Sequence, residues 1–475
     1  MRVLYTLSFF IIYSFLLYNK SGDKMFEEKK IFILGMARSG YEAAKLLINR
    51  NNKVFLNDFK DESLQDKDKV DELRSLGVEL YFGSHPDDIL DSSFDYLIKN
   101  PGIAIDHKYV LKAKELGIEV INEVEMAYRL LPEGIKVVGI TGTNGKTTTT
   151  SLTYNILKAA YGEKVVLAGN IGFPLSSFLD KLTSESILVM EISCQQLENI
   201  SKFKPDVAVI TNFSPAHIDF FKNYDYYKEV KSKLLKNQTC DDVSILNIEN
   251  DDVIKAAKNI KSNTKYFSSE NIINGSYLKD NYIYYYDKPI VSFDEVKIAG
   301  KHNLENCMAS IMVAKEFDVD DEIIKNTIST FRGVEHRLEY VATIDGRDYY
   351  NDTEATNIKC TQIALSSFNK PIILILGGLE RGQDFNELTQ FMKNVKSIIA
   401  IGECRERILE YGMSINIPTY TYEHLTDGFD KCVEVSDSGD IILLSPASAS
   451  WDQYKECEVR GAEFKKKVDE LKNED

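Results

Sequence analysis

The sequence predicts an α/β protein of three successive domains, each built on parallel strands. Three observations predict it. Short runs are apolar throughout, as at residues 31–34, 207–210 and 372–376, which suits strands covered on both faces of a sheet. Most such runs end in glycine or small polar residues, and apolar residues at helical spacing follow several of them. The chain has 475 residues, which at roughly 150 residues per domain allows about three domains.

The first domain is expected over 25–133. Residues 31–34 form a buried strand, and Gly35-Met36-Ala37-Arg38-Ser39-Gly40 turns into a helix carrying Ala43, Ala44, Leu46 and Leu47. Residues 54–56 form the next strand and end at Asn57-Asp58. This is a Rossmann-like βαβ unit with Ala37 in place of the middle glycine, and with an acidic residue, Asp58, about 20 positions on. Two readings stay open. The glycines permit a tight strand–helix turn, or the turn holds a nucleotide-type ligand with Asp58 accepting from its ribose or base.

The second domain is expected over 134–332, with strands at 135–140, 164–168, 187–190 and 207–210. Each is followed by a polar cluster: Gly142 to Thr148, Gly169-Asn170, Glu191-Ile192-Ser193, and Thr211-Asn212 with His217. Ligands of open α/β sheets bind beyond the carboxyl ends of strands, so four clusters predict one crevice. Antiparallel strands are expected around the Tyr-rich segment 282–286, then a helix from Leu304. The third domain, 333–475, has strands at 372–376, 397–401 and 441–445 and reads as doubly wound.

Composition narrows the function. The net charge is −16, which repels phosphate backbones and argues against nucleic acid as a partner. The seven cysteines include no C-x-x-C pair, a pattern of reduced thiols in a cytosolic protein rather than a disulfide framework or zinc site. Residues 3–18 are almost wholly apolar but short for a membrane span, and no small-x-small cleavage site follows. Residues 1–24 are therefore expected to be an extension outside the fold, with Met25 as the working start and no stable membrane partner; a membrane anchor is the minor alternative.

The chemistry centres on Gly142-Thr143-Asn144-Gly145-Lys146-Thr147-Thr148, directly after an apolar run. A strand, a glycine turn, then Lys and Thr opening a helix hold nucleotide phosphates: backbone N–H groups point inward, the lysine neutralises charge and the threonine holds Mg²⁺. The central domain is thus of the P-loop ATPase type, although the general Walker pattern wants glycine where Ile140 stands. Glu191, at a strand end, offers oxygen to a hard divalent ion, or is a solvated capping carboxylate. His217 and Lys231 are a lone histidine and one lysine among several, and the residues alone assign neither. Arg337, Asp352 and Arg381 could steady a phosphoryl group, a ribose or metal, and a carboxylate, or form surface salt bridges.

Together these motifs resemble the Mur ligases, over residues 26–475. The family's T-G-T-N-G-K-[ST] loop accounts for Ile140. Glu191-Ile192-Ser193 with Gln196, Asn212 through Asp219, His302-Asn303 with Asn306, and Glu335-His336-Arg337 follow in the family's order. Asp352-Thr353-Glu354-Ala355-Thr356-Asn357 and Leu444 through Tyr454 are most similar to the member that adds D-glutamate to UDP-N-acetylmuramoyl-L-alanine.

The resemblance implies an ATP-dependent, ADP-forming ligase of peptidoglycan precursor synthesis that works through an acyl phosphate, in the cytoplasm and as a monomer. It implies ATP contacts from 142–148, Asn303, Arg337 and Asp352, with Lys146, His217 and Lys231 catalytic. It implies two Mg²⁺ ions, one on Thr147 and Glu191, one on His217 and a carbamylated Lys231. Ala37, Arg38, Asp58, Phe59, Lys60 and Asn170 would hold the UDP precursor, and Thr356, Arg381 and Ser450 would hold D-glutamate. Two residues depart from the pattern: Glu354 where Lys is usual and Cys457 where Phe is often found, which leaves open whether Arg381 compensates. The alternatives are a related ligase with another amino acid, a non-catalytic precursor binder and a P-loop kinase.

Overall fold

The computed structural model describes residues 23–298 and 300–472. The apolar run at 3–18 lies outside the described residues. Contacts divide the chain into two units: residues up to 146 with 161–266, and residues 147–160 with 267 onward.

The first unit opens with β1 (Lys30–Leu34), α1 (Ala37–Ile48), β2 (Lys53–Asp58), β3 (Glu79–Phe82), β4 (Tyr96–Lys99) and β5 (Glu119–Ile121). These strands form a parallel sheet in the order β3-β2-β1-β4-β5. Ile31 and Ile33 join one apolar cluster, Phe32 and Leu34 another. Both faces are therefore covered, which is why the run lacks polar alternation. At the first turn, a Cβ on Gly40 would lie 2.0 Å from the Gly35 carbonyl oxygen, so close helix–strand packing requires glycine there. Ala37 opens α1 with φ of +26°.

Next come β6 (Lys136–Thr141), α2 (Lys146–Tyr161), β7 (Val165–Gly169), β8 (Ile187–Glu191), β9 (Val207–Ile210), α3 (Tyr224–Lys236), β10 (Val243–Asn247) and β11 (Asn263–Ser268), which crosses the division. Parallel strands β10-β9-β6-β8-β7 lie side by side. Glu125, fully buried, ties this sheet to the first: its carboxylate accepts from the Lys202 and Phe203 amides at 2.7 and 2.9 Å.

The second unit holds the antiparallel hairpins β12 (Gly275–Lys279), β13 (Tyr282–Tyr285) and β14 (Lys288–Ser292), followed by α4 (Lys301–Glu316). Its larger sheet contains β15 (Glu339–Ile344), β16 (Arg347–Asn351), β17 (Ile372–Gly377), β18 (Val395–Ile401), β19 (Thr419–Thr421) and β20 (Ile441–Leu444). The order is β15-β16-β20-β17-β18-β19, parallel except for β15 at one edge. Ile372, Leu374 and Leu376 face one core, Ile373 and Ile375 the other. Helices α5 (Ile358–Ser366) and α6 (Cys457–Leu471) follow β16 and β20.

One buried side chain organises the loops at the carboxyl ends of this sheet. Arg460, on α6 and 1% exposed, donates to the Thr353 hydroxyl at 3.0 Å, the Thr353 carbonyl at 3.1 Å, the Gly377 carbonyl at 3.3 Å and the Ser448 carbonyl at 3.1 Å. Three segments distant in sequence thus share one guanidinium. Leaving such buried acceptors unpaired costs about 1–3 kcal/mol each. Arg460→Leu is accordingly expected to lower the melting temperature by several degrees and to expose 353–357 and 377–383 to amide exchange, measured by calorimetry and hydrogen exchange. Unchanged protection in those loops would refute the role.

Candidate functional site

The strand registers set the four polar clusters of the first unit side by side. Gly169 pairs with Glu191, Glu191 with Ile140, and Thr141 with Ile210, so β7, β8, β6 and β9 end level. The four polar clusters therefore share one edge of the sheet, the placement the sequence predicts.

The phosphate loop is held by the segment after β9. The Thr143 amide donates to the Asn212 carbonyl at 2.8 Å and the Asn144 amide to Asn212 Oδ1 at 3.0 Å. The Asn144 carbonyl accepts from Thr211 Oγ1 at 2.6 Å and Asn212 Nδ2 at 3.1 Å. The Ser214 amide donates to Thr143 Oγ1 at 3.0 Å. A Cβ on Gly142 would fall 1.8 Å from Thr211 Oγ1, so this contact needs glycine. Lys146 Nζ donates to the Thr143 carbonyl at 3.0 Å, folding over the loop from the start of α2. Thr147 and Thr148 follow it in the same first turn.

Beside the loop lies a buried cation. Lys231 is 1% exposed and donates to the Gly142 carbonyl at 2.7 Å. Burial, and then the neighbouring charge of Lys146, push its amine down to about 7. The side chain is thus poised between ammonium and neutral amine. Its position on α3 explains the burial: Tyr227, Val230, Leu234 and Leu235 share its face. A lysine inside an i, i+3, i+4, i+7, i+8 apolar stripe is the signal that could have singled it out.

Glu191 is buried rather than solvated. Its Oε1 accepts from Asn170 Nδ2 at 2.6 Å, and its Oε2 has no hydrogen-bond partner among the described residues. A buried carboxylate oxygen without a donor is costly and fits a hard cation. Asn170 thereby touches Glu191. His217 caps the short helix Ile218–Phe221 in a left-handed conformation, φ +52°, with its ring 6.5 Å from that of Tyr227. Tyr227 in turn hydrogen-bonds Thr143 Oγ1 at 2.9 Å.

In the first sheet, Asp58 accepts from the Met36 amide at 2.8 Å and the Lys60 amide at 2.9 Å. It therefore braces the turn after β1. Phe59 is 69% exposed with its ring tilted over His85, and Arg38 reaches the Gly172 carbonyl at 3.4 Å.

In the second unit, Asn303 Oδ1 accepts from Asn306 Nδ2 at 2.8 Å, and Asn306 Oδ1 accepts from Thr149 on α2 at 3.1 Å. Asp352 is buried, accepting from the Leu338 amide at 3.0 Å and the Ser445 hydroxyl at 2.7 Å. Arg337 Nη2 lies 3.7 Å from Glu354 Oε2, and Cys457 Sγ lies 3.9 Å from Glu354 Oε1. Thr356 and Arg381 line one cavity of about 550 Å³ with Lys359, Gln383 and Ser448. Glu354, Cys457 and Ser450 are not among its lining residues; the buried Ser450 hydroxyl has no partner among the described residues. Arg460, absent from the sequence reading, underlies this site.

Residues 140–314 match the model of the Mur ligase middle domain, and residues 29–122 that of the Mur ligase MurD-like N-terminal domain. The chain is 43% identical to the UDP-N-acetylmuramoylalanine–D-glutamate ligase of Enterococcus hirae, over 93% of this chain and 96% of that protein. It is 40% identical to the ligase of the same name from Listeria monocytogenes, over 94% and 98%. The chain belongs to the Mur ligase family. Among solved structures, the Mur ligase MurC of Thermotoga maritima shares the fold, with a TM-score of 0.57 at 17% identity over 93% of this chain and 99% of that one. MurF of Acinetobacter baumannii does so with a TM-score of 0.55 at 17% identity, over 92% and 93%.

Asp352 gives this Mur ligase a pH signature. Burial pushes its carboxyl up to about 7, against the hydrogen bonds from Ser445 and Leu338. The folded state then holds the proton more tightly than the unfolded chain, where an aspartate titrates near 3.9. Stability contributed by this group is therefore present below about pH 4 and falls as pH rises to about 7. Asp352→Asn removes the cost. The variant is expected to melt several degrees above the parent at pH 8, with the gap closing towards pH 4.5, in paired thermal melts; a gap independent of pH would contradict this.

Proposed function

We propose that the chain joins D-glutamate to UDP-N-acetylmuramoyl-L-alanine with cleavage of ATP to ADP and phosphate, in the cytoplasm and as a monomer. One observation carries the reading: at the level ends of β6, β8 and β9, the braced phosphate loop meets a buried carboxylate oxygen without a donor and a desolvated lysine. A site for phosphates, a cation and a further anionic group is what carboxylate activation by ATP requires. Domains at 25–133, 134–332 and 333–475 divide the work among precursor, ATP and amino acid.

A carboxylate is a poor electrophile. Its oxygen attacks the γ-phosphorus, ADP leaves, and the acyl phosphate gains a leaving group. The D-glutamate amine then attacks the carbonyl carbon. The tetrahedral adduct loses phosphate and a proton, leaving an amide. The protein's part is alignment and charge neutralisation. Lys146 and the loop amides that Asn212 leaves unpaired face the phosphates, with Asn303, Arg337 and Asp352 contacting the nucleotide. Glu191 and Thr147 would hold one Mg²⁺, and His217 with Lys231 a second; when bound, the ions supply positive charge against the transferring phosphoryl group. The Lys231 amine, pushed to about 7, is in part neutral at neutral pH and so able to add carbon dioxide. The addition to the neutral amine releases one proton, two counted from the ammonium, and leaves a carboxylate-like ligand where a cation stood. Ala37, Arg38, Asp58, Phe59, Lys60 and Asn170 address the UDP precursor; Thr356, Arg381 and Ser450 address D-glutamate.

Phosphate release with ATP, Mg²⁺ and UDP-N-acetylmuramoyl-L-alanine is expected with D-glutamate and with no other amino acid of a panel. Lys146→Ala should lower it about a hundred- to a thousandfold. Turnover only with another amino acid would overturn the substrate assignment. For Lys231, ¹³C-bicarbonate should give a carbamate resonance that Lys231→Ala abolishes; a resonance surviving in that variant would place the carbamate elsewhere.

A further inference from the structure

We infer that Lys359 is a specificity-determining residue, the second of two cations that grip the two carboxylates of the amino-acid substrate, Arg381 being the first. This rests on the ligase reading above and deepens it. The cavity of about 550 Å³ is lined by Thr356, Lys359, Arg381 and Ser448, with Asp384 and Glu387 among its acidic residues. Asp384 is engaged as a helix cap, accepting from the Asn386 amide at 3.0 Å. Nearby Arg337 and Arg407 pair with Glu354 and Glu380, whereas Lys359 and Arg381 pair with no carboxylate among the described residues.

Each cation is placed for an anionic ligand. The Arg381 guanidinium stacks over the Trp451 ring at 4.6 Å. That contact fixes the plane of the fork and leaves its N–H edge available to a carboxylate. Lys359 is the second residue of α5, whose first turn contains no acidic side chain. A lysine there stands at the positive end of a helix, where the dipole disfavours a cation. An anion bound at this point would meet the ammonium and the helix end together. Glu354, five positions earlier, faces Arg337 and lies outside the cavity lining, so it does not oppose a dicarboxylate there. A ligand with one carboxylate satisfies only one of the cations.

The test is steady-state kinetics on the full chain with D-glutamate and with its side-chain amide, D-glutamine. Loss of a charged hydrogen bond corresponds to roughly a ten- to hundredfold change. Lys359→Ala is expected to raise the KM for D-glutamate at least about tenfold, more than it lowers kcat, with the KM for ATP within twofold. Its preference for D-glutamate over D-glutamine should shrink, and Lys359→Arg should restore most of it. Lys359 is exposed, so the variant should melt with the parent. A KM for D-glutamate within twofold of the parent in Lys359→Ala, while Arg381→Ala raises it, would overturn the inference and leave the ligase reading standing. No turnover of D-glutamate by the parent chain would overturn both.

Discussion

The clamp between the phosphate loop and the segment after β9 is the constraint on which the first unit's site depends. Thr211 and Asn212 satisfy backbone groups of Thr143 and Asn144, and the Ser214 amide donates to the Thr143 hydroxyl. The approach is so close that only glycine fits at 142. Two of the loop's amides and one of its carbonyls are thus paired from the segment after β9, which fixes the course of the remaining turn. That pairing also fixes where Lys231 can go. Its ammonium meets the Gly142 carbonyl because the turn presents that oxygen towards α3.

Three charged groups at these sites sit where folding alone would not place them. Lys231, Glu191 and Asp352 are each nearly inaccessible. Lys231 and Asp352 are shifted towards their neutral forms, and burial is the first cause in both. Desolvating an ion is among the largest costs a side chain can impose. A ligand of opposite charge offsets it, so binding and stabilisation are linked. Such sites destabilise the empty protein and gain on occupancy.

How much of this was legible in sequence follows from what kind of signal each residue leaves. The central parallel strands of the three sheets were legible because burial on two faces removes polar residues from a run, and glycine marks where backbones approach; the half-buried edge strands Glu79–Phe82 and Thr419–Thr421 leave no such run. The shared sheet edge was legible because strand ends carry the polar clusters. Lys231 was not singled out from composition, since a lysine among lysines is conspicuous only against the apolar stripe of its own helix. Arg460 was missed for another reason. Its partners are two carbonyls and a threonine remote in sequence, together with a third carbonyl twelve residues back, and no spacing rule connects them. Glu191's orphaned oxygen is likewise a property of three-dimensional enclosure.

Glu354 shows how an acidic side chain can stand near a cavity lined by cations without facing it. Its carboxylate lies 3.7 Å from the Arg337 guanidinium and beside Cys457, whose thiol burial pushes up to about 12. A raised thiol is the protonated form, so it adds no negative charge of its own. The Arg337–Glu354 pair is partly exposed, and a pair of that kind contributes little to stability. Its effect is instead directional, because an arginine held at one end has fewer orientations to lose when it meets a phosphate. The negative charge at 354 is thereby turned towards an arginine and away from the cavity that Arg381 lines. The same loop can thus carry an acidic residue beside an anionic substrate without repelling it, provided the cations that face the cavity come from other positions.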